Sequence, residues 1–207
     1  MRPLLKLYIA LVGVAAIALL GHDLSVLALW PYSWSLGVTI ALIVLTAIGD
    51  HLQFEVRRGW YTNASAVAHV SAAFLLPPGL AMAIAGLGAL VRAFRYPLPP
   101  AKAAFNIASI SLAVGAAAHL AAQLGGTDRV SPGGAWTDPL YAVLVSGTYC
   151  AFSALTVAVA ISIDQHRSIW AVTRGSLGVQ TVGEVGLGLV GAMLAAMLNE
   201  ALAGGSG

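Results

Sequence analysis

The chain reads as an all-α integral membrane protein: a bundle of about seven transmembrane helices, two of them short and joined by a Pro-Pro-Gly turn, with a cytoplasmic N-terminus. Three observations predict this. The 207 residues are 59% hydrophobic and 9% charged, whereas a soluble domain carries about 25% charged residues, so there is too little charge to cover a surface facing water. Apolar runs recur at close to the roughly 17–25 residues that cross a bilayer as a helix; the alternating segments of about ten residues that mark a membrane barrel are not evident. The lysines and arginines, finally, segregate to one side once the spans are counted.

Taken in order, the first span is about Leu4–Leu20. Its basic start and apolar core resemble a signal peptide, but no small-x-small cleavage site precedes a soluble domain and further spans follow, so it reads as a first helix or signal anchor. His22 and Asp23 fall in a short polar loop. Trp30-Pro31-Tyr32-Ser33-Trp34 then marks a membrane boundary, because rings with polar edges favour the headgroup zone. The second span is about Ser35–Gly49. Asp50, His51, Glu55, Arg57, Arg58, Trp60 and Tyr61 form the next charged, aromatic boundary.

The third span, about Asn63–Leu76, and the fourth, about Gly79–Val91, are the short pair. Each rises about 20 Å at 1.5 Å per residue, against a hydrocarbon core of about 30 Å, so the pair either continues helically into the boundary residues or forms a hairpin that crosses only part of the bilayer. Pro77 and Pro78 interrupt helical bonding and Gly79 permits a tight turn. A fifth span covers about Ala101–Leu124, followed by a polar Gly/Pro-rich loop, Gly125–Pro139. The sixth is about Leu140–Ile163, the loop Asp164–Arg174 is charged, and the seventh is about Leu177–Leu202. Residues 1–203 form one bundle, and Gly204-Gly205-Ser206-Gly207 reads as a flexible tail or the remnant of a linker.

With seven alternating spans, Arg2, Lys6, Arg57, Arg58, Arg92, Arg95, Lys102, Arg167 and Arg174 share one side and Arg129 alone takes the other. The positive-inside rule makes the majority side cytoplasmic. Merging the short pair would scatter the later basic loops. No aromatic-rich basic face exists, so nucleic acid is not an expected partner. Cys150 is the single cysteine; it forms no internal disulfide and reads as a small buried hydrophobe.

Ionisable groups inside a membrane are costly and are functional candidates by default. His69 lies mid-span, His119 near the outer end of the fifth helix, Glu184 within the seventh and Asn106 near the inner end of the fifth. One reading is a polar ligand pocket in the outer half, lined by His69 and His119 with Glu184 as a third candidate. The other is interhelical hydrogen bonding worth about 0.6 kcal/mol per bond. The histidines lack metal-ligand spacing, so no metal site is expected, and no cofactor is named. Gly188-x-x-x-Ala192 and Gly191-x-x-x-Ala195 allow close helix approach, within the bundle or across a homodimer. No nucleophile–base pair, phosphate loop or dinucleotide fingerprint is visible, and an enzyme is not expected.

The stretch TNASAVAHVSAAFLLPPGLAMAIAGLGALVRAFRYPLPPAKAAFNIASISLAVGAAAHL has a polar start at Asn63 and Ser65. The Pro78-Gly79 turn, basic residues at Arg92, Arg95 and Lys102, and Phe105-Asn106 follow. It resembles the N-terminal membrane sensory modules of bacterial diguanylate cyclases (GGDEF), HD-GYP phosphodiesterases and histidine kinases. The later YAVLVSGTYCAFSALTVAVAISI is similar to their next part, and the resemblance spans about Gly59–Asn199. It implies a helical bundle of the general plan of energy-coupling-factor substrate-binding subunits, in a bacterial inner membrane, sensing a ligand or membrane state. A further helix and a cytoplasmic output domain usually follow in that family, whereas this sequence stops after the seventh span. The expected function is a sensory module, with Arg92, Arg95, Lys102, Arg167 and Arg174 as cytoplasmic partner contacts. A small-molecule transporter or its substrate-binding subunit, and a structural subunit of a membrane complex, are the alternatives.

Overall fold

The computed structural model describes residues 1–27, 35–57, 60–96, 98–125, 139–174 and 178–204, without the side chains of 53–63, 139, 178–184 and 202–204. The aromatic cluster at Trp30–Trp34, most of the Gly125–Pro139 loop with Arg129, and the last three residues of the tail lie outside the described residues. So does Arg58.

The described residues form eight helices and one hairpin: α1 (Pro3–Ser25), α2 (Leu36–His51), β1 (Gln53–Arg57), β2 (Trp60–Asn63), α3 (Ser65–Leu75), α4 (Pro78–Arg95), α5 (Pro100–Gln123), α6 (Pro139–Gln165), α7 (Ile169–Val172) and α8 (Gly178–Gly204). Helices α1, α4, α5 and α6 each open on proline, which loses no hydrogen bond at a first helical position and has φ already set for the helix. α2 is capped instead by Ser35, whose Oγ accepts from the Val38 N–H at 3.4 Å, and α7 by Ser168, which accepts from Ala171 N–H at 3.1 Å. α6 ends where His166 adopts φ 53° and the Arg167 N–H returns to the Ser162 carbonyl at 3.2 Å, a left-handed C-terminal turn.

Several expectations are corrected. α1 runs on to Ser25, so His22 and Asp23 are helical rather than looped. α4 has 18 residues and continues through Val91 to Arg95, so only α3 of the supposed short pair is short. The break falls at Leu76-Pro77, and Gly79 is already inside α4. The charged stretch after Asp50 folds into an antiparallel hairpin, with Gln53 opposite Asn63, Phe54 opposite Thr62 and Glu55 opposite Tyr61.

By length and composition α1, α4, α5 and α6 can each cross a membrane, while α2, α3 and the Val185–Ala201 part of α8 are shorter apolar helices. The 11 residues of α3 rise about 16 Å, too little to cross alone. α3 is instead the axis of the bundle. All of its residues but Val67 are buried, against α2, α4, α5, α6 and α8.

The polarity is that of a protein dissolved in hydrocarbon. On α1, Leu4, Leu7, Leu11 and Val14 form an exposed stripe, while Leu5, Val12, Ala16 and Asp23 face inward. On α2, Leu36, Ile40, Val44 and Ile48 are exposed, and Thr39, Thr46 and Asp50 are buried. Leucine outside and aspartate inside is costly in water and natural in lipid, where interior polar groups satisfy one another. Helical hydroxyls follow that rule: Thr148, Thr156 and Ser71 bond the carbonyls of Leu144, Phe152 and Val67 one turn back. Ser71 also reaches the Gly191 carbonyl at 2.8 Å, tying α3 to α8.

The helix ends alternate. Arg2 Nη1 donates to the Ile163 carbonyl at 3.3 Å, joining the start of α1 to the end of α6. Tyr8 Oη donates to the Thr156 carbonyl at 3.0 Å further along the same antiparallel pair. At the opposite end Tyr141 Oη donates to the Ala121 carbonyl at 3.2 Å, where α5 stops and α6 begins.

Candidate functional site

Among the described residues, two polar groupings lie close together inside the bundle. The first is built by α2 and α4. Thr46 and Asp50 stand one turn apart on the buried face of α2. α4 approaches them at Gly88, where a Cβ would collide with Thr46 Cγ2 and stand 2.9 Å from Asp50 Oδ2. Glycine is required there because the helices nearly touch. One turn along α4, Arg92 Nη1 lies 3.6 Å from Asp50 Oδ1, with the carboxylate side chain 3% exposed. A charge this deep is tolerable only because it is paired.

The second is centred on α3. His69 is 2% exposed, and its Nδ1 lies 3.3 Å from Tyr149 Oη on α6. Ser146, one turn before Tyr149, is fully buried under α8, where a Cβ on Gly188 would stand 2.8 Å from Ser146 Cβ. His69 Nε2, Thr46 Oγ1 and Ser146 Oγ have no hydrogen-bond partner among the described residues. If Tyr149 donates to Nδ1, the free Nε2–H is a donor; if Nδ1–H donates to Tyr149, Nε2 is an acceptor. The two groupings lie on neighbouring helices, since α3, which carries His69, packs against both α2 and α4.

His119 belongs elsewhere. Its Nε2 is 2.9 Å from Asp23 Oδ2. Asp23 packs against the first turn of α4, where a Cβ on Gly79 would meet Asp23 Cβ at 3.0 Å. A helix N-terminus favours a carboxylate beside it. From Gly79 to Gly88 is about 13 Å along α4, so the Asp23–His119 pair and the Asp50 grouping are separate. His69 stands one turn from Ser65, whose backbone N lies 2.6 Å from where a Cβ of Gly49 would be. It is thus nearer the Asp50 end than the His119 end. His69 and His119, expected to line one pocket, thus have different partners, Tyr149 and Asp23.

The other candidates disperse. Asn106 is half-buried on α5, where its carbonyl accepts from Ser109 Oγ at 3.2 Å, and it joins neither pair. Glu184 falls in α8, with its side chain outside the described ones. Of the basic candidates, Arg92 is the partner of Asp50. Arg95 lies over the Tyr96 ring at 5.7 Å and Arg174 over the Trp170 ring at 4.9 Å. Lys102 and Arg167 are exposed, and Cys150 is buried. Among the described residues no three of His, Cys, Asp and Glu are grouped to hold a metal ion.

Sequence reasoning passed over Asp23, Thr46, Asp50, Ser146 and Tyr149. A usable signal existed for two of them: Thr39, Thr46 and Asp50 recur with helical spacing on one face of an otherwise apolar segment.

Comparison with protein-family models found none that matches, and comparisons with curated proteins and with solved structures found no match. No family is identified. The chain stands as an all-helical protein with several apolar helices able to span a membrane, and its interior geometry carries the functional reading.

Proposed function

We propose that this chain is a multi-pass membrane sensory module, with about seven crossing segments and a cytoplasmic N-terminus, in the inner membrane of a bacterium. It binds a small ligand inside the bundle and passes the event to a cytoplasmic output domain or partner, with no chemistry of its own. The observation that supports this best is His69: an imidazole on a fully enclosed central helix, held by Tyr149 at 3.3 Å and keeping Nε2 without a partner among the described residues. Arg92 couples that interior to the exposed α4–α5 turn, where Arg95 and Lys102 lie. A ligand that binds one helix arrangement better than another shifts the equilibrium by that difference and no more.

The test is retention. The chain, extracted in mild detergent and then denatured, is expected to release a small molecule close to one per chain by mass spectrometry. His69→Phe and Tyr149→Phe, with unchanged circular dichroism, are expected to lose it. Equal retention by wild type and both variants, or none by wild type, would end the proposal.

A second reading is favoured by one specific feature. The interruption at Leu76-Pro77 between α3 and α4 makes a discontinuous helix pair of the kind that frames binding sites in transporters. Uptake of the retained molecule into proteoliposomes would favour a transporter or its substrate-binding subunit over a sensor.

A further inference from the structure

The bundle end where α1 begins and α6 stops carries a cluster that neither the His69 site nor the Asp23–His119 pair uses. Arg2 Nη1 donates to the Ile163 carbonyl at 3.3 Å. The preceding residue, Ser162, holds Arg167: its carbonyl accepts the Arg167 N–H at 3.2 Å, and its Oγ donates to the Arg167 carbonyl at 2.6 Å. Arg2 and the Arg167 backbone are thereby fixed at adjacent residues of one helix end.

α7 follows directly. Val172 is buried with Ala158 against Ala154 and Ile161, which pins this short helix to α6. It leaves Ile169 and Trp170 facing outward, 43% and 64% exposed. Arg174 stacks its guanidinium 4.9 Å from the Trp170 ring centroid. Lys6 is exposed one turn beyond Arg2 on α1, between the exposed Leu4 and Leu7. Asp164 is the acidic side chain in this loop, and the neighbouring His166 is exposed, so the basic groups outnumber the acid.

We infer that this corner binds the headgroup of an anionic phospholipid of the surrounding bilayer. The occupant must satisfy two chemistries side by side. A guanidinium fork matches a phosphate oxygen pair, and indole favours the headgroup depth. Stacking on Trp170 keeps Arg174 at that same depth. The exposed leucines of α1 and Ile169 beside the cations call for acyl chain rather than water, and a phospholipid supplies both in one molecule. This inference rests on the bilayer reading of the helices and is independent of any ligand at His69.

The test uses the full chain in detergent, titrated with phosphatidylglycerol and, separately, phosphatidylcholine, with bound lipid counted by native mass spectrometry. Wild type is expected to hold phosphatidylglycerol in preference. Each arginine near an anionic surface contributes about a fivefold factor. Arg174→Gln, at an exposed side chain, should therefore lose about that much, and the Arg2→Gln/Arg167→Gln/Arg174→Gln triple variant most of the preference. Arg95→Gln and Lys102→Gln should keep it. Equal binding of the two lipids by wild type overturns the inference, as does a preference that survives in Arg174→Gln and in a triple variant of unchanged circular dichroism. Competition by free glycerol phosphate as effective as by the lipid also overturns it, because the site would then be one for a soluble anion.

Discussion

At the scale of single residues, the interior follows from the cost of polar groups in hydrocarbon. Asp23 finds His119 at 2.9 Å, Asp50 finds Arg92 at 3.6 Å, and His69 finds Tyr149. Removing one member of a buried pair leaves the other charge without its partner, and that loss exceeds the net worth of the pair. Arg92 retains some contact with its surroundings, its side chain being 22% exposed, so the expected losses are moderate. Asp50→Asn and Arg92→Gln should each lower stability by about 1–3 kcal/mol, and the double variant by clearly less than their sum. Thermal unfolding of the four proteins in one detergent measures this cycle; strictly additive losses would show that the two side chains do not interact. His69 and His119 were visible in the sequence as ionisable groups at depth. Their partners were not, because Tyr149 is 80 positions from His69 and Asp23 is 96 from His119, and nothing local encodes which helices meet.

At the scale of elements, the glycines show which helix contacts are rigid. Gly49 meets the backbone of Ser65, with a Cβ position 2.6 Å from N and 2.7 Å from Cα. A Cβ on Gly115 would stand 2.6 Å from the Met82 sulfur, part of an unbranched side chain that adapts more readily than backbone. Gly13 and Gly21 have nothing within 4 Å. Gly49→Ala should therefore destabilise by about 1–3 kcal/mol through overpacking. Gly115→Ala should cost clearly less, and Gly13→Ala should be neutral or stabilise by up to about 1 kcal/mol through helix propensity. Melting temperatures ranked in any other order would show that α2 and α3 do not pack as closely as described. The spans themselves were readable from apolar run length, but their ends were not. Asp23 and Arg95 look like loop residues in the sequence, yet both are helical: Asp23 has a partner to face inside, and Arg95 reaches outward from the last turn of α4.

For the whole molecule, the antiparallel order makes a directional statement. Arg2 and Ile163 mark one end, and the Asp23–His119 and Tyr141–Ala121 contacts mark the other. If the basic end is cytoplasmic, as proposed, a cysteine placed at the exposed Gln123 should react with a membrane-impermeant thiol reagent in intact cells. One placed at His166 should react only after permeabilisation. Buried Cys150 gives no background. The reverse pattern would invert the orientation, and labelling of both from outside would exclude a spanning bundle.

Composition, run length and the distribution of lysine and arginine sufficed for an all-helical, multi-span reading, because the cost of moving charge into lipid acts residue by residue. Which of the shorter helices lies at the centre, and which polar side chains meet, was decided only in three dimensions. α3, with 11 residues, is too short to cross alone. It becomes the enclosed axis because five helices pack around it, and their packing brings His69 to Tyr149 and leaves His119 with Asp23. Those pairings depend on close approach at positions such as Gly49, Gly88 and Gly188, an interhelical property that no single segment contains.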